Sequence, residues 1–375
     1  MGVANKMSDK NPEMRANAAR ICRDYLTGVW KQVNAENIVV NHISGGLSNW
    51  IYDVQLPEGI APVRGEPRQV LLRIYGQTHG ERAVEGIITE SVIFALLSER
   101  QLGPKLHGVF PGGRIEEYIP ARPLLTKELA DPELSVLTAE KMAAIHQMQV
   151  PISKEPTWLW NTMIKWLDTA QDVLKNIDDI DQRLVDNIKA IKSVSLADEI
   201  AWFKNLVSQQ KYPVVFCHND MQEGNILLRQ NSTKRELVII DFEYCSYNYR
   251  GFDLANHFVE WQYDYTAKDY PFYHERNNAG PTDEQKLRFI RSYLKTMGKE
   301  GTLEEQRLLE EIKIFSLASH LFWSLWSIVN VRHSQIPFGY MDYAASRLRN
   351  YQQLKEKISS ESARCGIKRK EEITD

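Results

Sequence analysis

Three polar side chains in the middle of the chain have the types and spacing of a phosphoryl-transfer site. Asp220 and Asn225 are separated by four residues in a polar segment that follows an apolar run, and Asp241 ends the next apolar run and precedes Phe242. Phosphoryl transfer needs a carboxylate beside the attacking hydroxyl, oxygen ligands for a metal ion and donors over the phosphates. The interval and the strand context are those of a kinase catalytic loop and its metal-binding aspartate. The sequence therefore predicts Asp220 as the base that orients a substrate hydroxyl, and Asn225 and Asp241 as ligands of Mg²⁺.

His218 opens the same polar segment and could itself act as a base. A histidine ring can also hold a loop in place by a hydrogen bond to the backbone. Because the carboxylate of Asp220 is better placed to act as the base, we predict that His218 has a structural role.

A glycine-containing turn upstream precedes a strand that carries a cation. Two adjacent glycines in Ser44-Gly45-Gly46-Leu47-Ser48-Asn49 let backbone N–H groups approach an anion. The cation is Arg73, where protein kinases have lysine, and the next helical segment carries Glu90. We predict that the turn covers the ATP phosphates and that Arg73, paired with Glu90, takes part in catalysis and nucleotide binding. Alone, the turn would be an ordinary hairpin and Arg73 a solvated edge residue.

The elements that must position these groups change character along the chain. The N-terminal part has a first helical pattern over 12–33, short strand patterns at 38–40, 50–54 and 70–74, a helix over 82–102 and a hairpin over 106–119. From about residue 123 most periodicity is helical, with predicted helices over 137–149, 158–177 and 184–210. The sequence thus predicts an α+β, protein-kinase-like bilobal fold. Its parts would be a small β-rich N-terminal lobe over 1–115, a hinge at 116–122 and a larger, mostly helical lobe over 123–375.

Composition limits the classes of function. The net charge of −3 supplies no basic field for nucleic acid. Four scattered cysteines show neither CxxC nor zinc spacing, which predicts reduced thiols. The apolar segment 314–331 is interrupted by serine, histidine and asparagine, so it predicts a buried helix and no membrane span. With no apolar signal segment at the N-terminus, we expect a soluble, cytoplasmic protein.

Taken together, the motifs resemble those of the choline/ethanolamine kinase family, a branch of the protein-kinase-like fold. The resemblance rests on HNDxxxGNIL at 218–227, IDFEY at 240–244, SYNYRGFD at 246–253 and NHFxEW at 256–261, and it extends over about 38–351. It implies ATP as co-substrate, a homodimer, and Gln222 and Glu243 near the phosphates or a second metal ion. It also implies that adenine stacks over a hinge formed by Glu116, Glu117, Tyr118 and Ile119.

The alcohol that accepts the phosphoryl group can be predicted from its chemistry. The trimethylammonium group of choline has no N–H, so a protein holds it with aromatic faces and a carboxylate, at ~0.5–2 kcal/mol per cation–π contact. The family resemblance assigns that role, beside Asp220, to Tyr244, Glu260, Tyr265, Trp323, Trp326 and Tyr343. Trp323 and Trp326 share one helical face, and Glu260 would be costly to bury without a cation. Ordinary core packing is the alternative for the aromatic residues.

The predicted function is ATP-dependent phosphorylation of choline to phosphocholine, the first step of the CDP-choline route to phosphatidylcholine, with some activity on ethanolamine. An ethanolamine kinase is the alternative within this class. A protein kinase would need a GxGxxG loop and a strand lysine, and an aminoglycoside kinase would need a more acidic pocket. The alternative from another class is a catalytically silent kinase-like scaffold, which the presence of Asp220, Asn225 and Asp241 disfavours.

Overall fold

The structure is a computed structural model that describes residues 6–8, 11–43, 49–75, 81–177, 182–230, 233–277 and 279–371. The chain forms two units. One comprises the residues up to Glu128 together with Glu223–Cys245, and the other comprises Leu129–Gln222 and the residues from Ser246 onward. The first unit therefore contains Asn225 and Asp241, and the second contains Asp220. The lobe boundaries at 115 and 123 stay a prediction.

Antiparallel strands dominate the first unit. Its strands and helices are β1 (Lys6–Ser8), α1 (Pro12–Tyr25), β2 (Val39–Ile43), β3 (Asn49–Gln55), β4 (Gln69–Tyr75), α2 (Glu81–Glu99), β5 (Leu106–Phe110), β6 (Gly113–Glu117), β7 (Ala121–Pro123), β9 (Ile226–Arg229) and β10 (Leu237–Ile239). Six of these strands form one sheet in the order β1-β2-β3-β4-β6-β5, and three form a smaller sheet in the order β10-β9-β7. Apolar side chains of α1, such as Ile21, pack on Val40, Val54 and Leu72 of the larger sheet. This core supports β4 and β6, the strands that carry Arg73 and Glu116.

Helix α1 is shorter than the sequence pattern predicts. Asn11 caps its start by accepting N–H bonds from the first turn. The helix ends at Tyr25, and a separate 3-10 turn covers Gly28–Gln32. Gly28 has a φ of 56°, and a Cβ at this position would collide with the carboxylate of Glu66. The prediction of one helix over 12–33 is wrong, because the backbone is extended at Leu26 and Thr27 and left-handed at Gly28.

Helices make up most of the second unit. Its elements are α3 (Pro132–His146), α4 (Thr157–Lys175), α5 (Val185–Lys192), α6 (Leu196–Ser208), β8 (Val214–Cys217), β11 (Ser246–Tyr249), α7 (Arg250–Glu260), β12 (Tyr263–Asp264), β13 (His274–Glu275), α8 (Asp283–Thr296), α9 (Thr302–His333) and α10 (Tyr340–Glu371). Strand β8 pairs with β11, and β12 pairs with β13. The predicted class is confirmed: an α+β chain with a small sheet-rich N-terminal part and a helical C-terminal part.

The single helix predicted over 184–210 is in fact two helices. Ser193 terminates α5, and Ser195 precedes α6. Serine competes for backbone hydrogen bonds and favours helix ends, and the β-branched Val194 between the two serines is a weak helix former. The pattern of apolar residues continues across this break, so periodicity alone does not reveal it.

Helices α7 and α9 form the centre of the second unit. Every residue of α7 is buried, and Arg250 at its start makes a bidentate ion pair with Glu311 of α9 at 2.7 and 2.8 Å. By length and composition α9 could also cross a membrane, but 67% of its apolar window is buried inside the protein. This burial confirms the core helix predicted over 314–331. The arrangement places Glu260 at the end of α7, and Trp323 and Trp326 on α9.

Candidate active site

A buried carboxylate on α7 holds the start of the loop that carries Asp220. Asp253 accepts the backbone N–H of His218 at 2.8 Å and that of Asn219 at 2.9 Å, one through each oxygen. His146 Nε2 lies 3.0 Å from the same side chain. Burial by itself raises the pKa of Asp253, but the hydrogen bond and charge of His146, together with His218, bring the pKa below its usual value. Asp253 is therefore ionised and anchors the loop. Sequence reasoning assigned it no role.

His218 has the structural role predicted for it. Its ring is fully buried, and Nδ1 accepts the backbone N–H of Asp220 at 3.2 Å. Asn219 between them has a φ of 68°, which asparagine tolerates better than most residues. The side chain of Asn248 donates to that of Asn219 at 2.8 Å, which holds this conformation.

The loop is also held beyond Asp220. Gln222 donates its backbone N–H to the carbonyl of Asp220 at 3.0 Å, and His257 Nδ1 lies 2.9 Å from the carbonyl of Met221. Burial lowers the pKa of His257 to about 4, so the ring is neutral near pH 7 and its Nδ1–H is the donor. Asp220 itself is half-buried. A half-exposed carboxylate on a loop fixed at both ends suits a base that meets a substrate from solution.

In the first unit, Asn225 and Asp241 come together at adjacent strand ends. Ile226 of β9 pairs with Ile239 of β10, and Ile240 donates its N–H to the carbonyl of Asn225 at 3.0 Å. Asp241 follows directly with a φ of 66°, so the chain leaves the strand direction at this residue. Two of the predicted metal ligands thus lie at one edge of the small sheet.

Acidic side chains surround Asp241. Glu243 is exposed on one side, yet the protein around it removes part of its hydration. This loss of hydration, together with the charges of Asp241 and Glu90, raises the pKa of Glu243 to about 7, against the opposing effect of Arg73. Carboxylates that disfavour each other's ionisation are stabilised by a divalent cation, and hard cations prefer carboxylate and amide oxygens. The chemistry of Asn225, Asp241 and Glu243 therefore fits a divalent metal ion.

Arg73 forms an ion pair with Glu116. The prediction that it pairs directly with Glu90 is wrong. Arg73 Nε lies 2.7 Å from Glu116 Oε1, and Arg114 Nε lies 2.7 Å from the same oxygen. Arg114 Nη1 then reaches Glu90 Oε1 at 2.6 Å. Arg73 is opposite Arg114 in the β4–β6 register, and residues 114 and 116 point to the same face of the strand. The link from Arg73 to Glu90 therefore runs through Glu116 and Arg114.

Glycine at position 113 allows β4 and β6 to approach closely beside Arg73. A Cβ there would lie 2.2 Å from the carbonyl oxygen of Arg73, which a rigid backbone cannot accommodate. The alternation Arg-x-Glu at 114–116 was the signal for this network in the sequence, and it was missed.

The side chain of Glu116 belongs to this ion-pair network. It is 3% exposed, and although burial raises its pKa, Arg73 and Arg114 bring the pKa below its usual value. Glu117 accepts the N–H of Lys105 at 3.1 Å and lies 3.3 Å from Arg229. Contacts from the backbone of residues 116–119 to adenine remain a prediction.

In the second unit, three residues predicted to bind the acceptor are in direct contact. Tyr265 donates its hydroxyl to Glu260 Oε2 at 2.7 Å, and the hydroxyls of Tyr265 and Tyr343 are 2.8 Å apart. Arg347, which is fully buried, donates to both Glu260 and Tyr343. Glu260 therefore has a cation within the chain, so its burial does not by itself require a bound ligand. Arg347 stands one helical turn after Tyr343, a spacing that could have revealed it.

Trp323 and Trp326 continue this group of aromatic residues. Their ring centroids are 5.5 Å apart, with an edge-to-face angle of 74°. The indole N–H of Trp323 donates to Asn256 at 2.7 Å, which fixes that ring in the core. Trp326 and Tyr265 are only half-buried. The ring centroids of Phe338 and Tyr265 are 6.3 Å apart. Aromatic surface thus remains accessible close to the carboxylate of Glu260.

The remaining predicted site residues are dispersed or lie outside the described residues. Residues Ser44–Ser48 of the predicted phosphate-covering turn are outside the described part of the chain, and Asn49 begins β3. Tyr244 lies in the turn after Asp241, within the first unit, and Gln222 lies in the second. The roles of these residues remain predictions.

The fold, the loop around Asp220 and the acidic cluster around Asp241 define a protein-kinase-like phosphotransferase. Residues 40–352 match the choline/ethanolamine kinase family. The chain is 47% identical over 363 residues to a human choline/ethanolamine kinase, covering 95% of this chain and 90% of that protein. It is 43% identical over 382 residues to mouse choline kinase alpha, covering 94% and 83%. The crystal structure of a choline kinase from Cryptosporidium parvum superimposes with a TM-score of 0.75 at 27% identity, covering 92% of this chain and 96% of that one. The chain belongs to the choline/ethanolamine kinase family.

Proposed function

We propose that this protein phosphorylates choline to phosphocholine with ATP and Mg²⁺, and that ethanolamine is a poorer substrate. The observation that carries the proposal is the accessible aromatic surface of Tyr265 beside the buried carboxylate of Glu260. The half-buried ring of Trp326 is linked to Tyr265 through the rings of Tyr340 and Phe338. A trimethylammonium group is attracted by such faces and needs no hydrogen-bond acceptor. Family membership supports choline or ethanolamine as the acceptor.

The chemical step is assigned to Asp220. Its carboxylate accepts a hydrogen bond from the hydroxyl of the amino alcohol and takes the proton as that oxygen bonds to the γ-phosphorus and the bond to the ADP oxygen breaks. The contacts of Asp253, His218 and His257 keep the loop in one conformation, so the base needs no rearrangement before the reaction.

Groups of the first unit are assigned to the triphosphate. Asn225, Asp241 and Glu243 would hold Mg²⁺, which when bound offsets the negative charge on the phosphates. Arg73, oriented by Glu116, contributes a fixed positive charge next to this acidic cluster. The turn at 44–49 is expected to cover the phosphates, and backbone groups of residues 116–119 are expected to bind adenine.

Replacing Trp326 with alanine is expected to raise the KM for choline by roughly 2- to 30-fold, with little change in the KM for ATP. This range corresponds to the loss of one cation–π contact. Steady-state kinetics with each substrate varied in turn would measure it. Trp202→Ala is a matched control, because Trp202 is also half-buried but lies on α6 with its ring 4.1 Å from Lys355. An unchanged KM for choline in Trp326→Ala would remove Trp326 from the binding site.

The proposal as a whole is tested by kcat/KM for choline and ethanolamine measured side by side with the purified protein. We expect the larger value with choline. A larger value with ethanolamine would overturn the substrate assignment and leave the phosphoryl-transfer site intact, and no ATP turnover with either alcohol would favour the scaffold. The homodimer, the cytoplasmic location and the place in the CDP-choline route stay predictions.

A further inference from the structure

Four side chains of the second unit close a ring of hydrogen bonds whose donors and acceptors can be assigned. Tyr265 has one hydroxyl proton, and its contact at 2.7 Å with the carboxylate of Glu260 requires that proton. In the 2.8 Å contact between the two hydroxyls, Tyr343 must therefore be the donor. Arg347 donates to the oxygen of Tyr343 and to Glu260 Oε1. Both carboxylate oxygens of Glu260 thus already accept a hydrogen bond from the protein.

Three of the four side chains in this ring of hydrogen bonds are buried, and Tyr265 is half-buried. Glu260 is 3% exposed and Arg347 is fully buried, with its guanidinium carbon 4.1 Å above the ring of Tyr263. Burial and the charge of Glu260 keep the pKa of Tyr265 well above its ordinary value, so its hydroxyl remains a donor throughout the working pH range. Each oxygen of Glu260 holds one fixed donor, so part of the hydrogen-bonding capacity of this carboxylate is already used within the protein.

We propose that Arg347 and Tyr265 determine substrate specificity by taking one acceptor position on each oxygen of Glu260, so that the site favours a cation without N–H groups. This inference rests on the proposed function. Glu260 would still attract a positive charge at close range, but it would offer fewer free acceptor positions to the N–H groups of a primary ammonium group.

The physical reason lies in desolvation. A primary ammonium has three N–H donors that are hydrogen-bonded in water, and each one left without an acceptor in a buried site opposes binding. A trimethylammonium group loses no such bonds and gains contact with the rings of Tyr265 and Trp326. Tyr265 and Arg347 therefore act through Glu260, as positioning residues that set its capacity to accept hydrogen bonds.

Tyr265→Phe tests this directly, because it keeps the ring and removes only the donor to Glu260 Oε2. We expect the ratio of kcat/KM for choline to kcat/KM for ethanolamine to fall about 5- to 30-fold, mainly through a lower KM for ethanolamine. The KM for ATP should not change. Tyr340→Phe is the matched control, since the hydroxyl of Tyr340 lies 2.6 Å from Ser334 Oγ and its loss should leave the ratio at the wild-type value.

A second variant removes the hydrogen bond from Arg347 to Glu260. Arg347→Lys keeps the positive charge but supplies a shorter side chain, so the choline-to-ethanolamine ratio of kcat/KM should also fall. Thermal unfolding of this variant first establishes that it is folded. An unchanged choline-to-ethanolamine ratio in Tyr265→Phe, or an equal shift of this ratio in Tyr340→Phe, would overturn the inference. The proposal that the protein phosphorylates choline would not be affected. A wild-type protein inactive on both alcohols would instead overturn the proposed function itself.

Discussion

Substituting asparagine for Asp220 is expected to lower kcat by about 10²- to 10⁴-fold, the usual contribution of a positioned general base. Asparagine has the same size but cannot take the proton of the substrate hydroxyl. Because the loop is held by Asp253, His218 and His257, the KM values for choline and ATP should change little. Initial rates at saturating substrates measure the effect.

Asp198→Asn provides the matched control for this substitution. Asp198 is an exposed aspartate in the first turn of α6, so the same chemical change there should leave kcat within about twofold, as expected for a surface substitution. A kcat for Asp220→Asn close to that of the wild type would show that Asp220 is not the base.

Substituting asparagine for Asp241 is expected to lower kcat by roughly 10²- to 10³-fold and to raise the magnesium concentration needed for half-maximal rate. The change removes one carboxylate ligand, and stabilisation by a metal ion amounts to several kcal/mol. Asparagine is the informative replacement, because it tolerates the left-handed φ of 66° at this position. Alanine would combine loss of a ligand with backbone strain.

The same variant has a second readout that does not depend on activity. Removing one charge from the cluster of Asp241, Glu243 and Glu90 relieves repulsion, so the metal-free variant should unfold at the same or a higher temperature than the metal-free wild type. A variant with lower kcat, an unchanged magnesium requirement and a lower unfolding temperature would indicate a structural role for Asp241.

The places of Asn225 and Asp241 next to short strands could be predicted from the sequence, because short-range structure positions these residues. Asn225 and Asp241 meet because two short strands pair in register immediately before these residues. The predicted hydrogen bond of His218 to the backbone joins it to the N–H of Asp220, only two positions along the chain. In each case the determining contacts lie within a few residues in sequence or between adjacent strands.

The errors concern partners that are distant in sequence. Arg73 is 43 positions from Glu116, and Glu260 is 87 positions from Arg347. Sequence periodicity carries no information on which buried charges will meet, so the carboxylate of Glu260 looked as if it needed a ligand to neutralise it. The helix boundaries failed for a different reason, since the apolar pattern continues past the points where the helices end. The backbone is extended from Leu26, and Ser193 and Ser195 separate α5 from α6.

The central claim, phosphorylation of choline, is tested most directly by following the reaction of ATP, Mg²⁺ and choline with ³¹P NMR. We predict one new phosphomonoester signal, identified by addition of authentic phosphocholine, which grows in equal amount with ADP and is absent without choline or with Asp220→Asn. ADP released without a phosphomonoester, or no turnover of ATP in the presence of choline, would contradict the account.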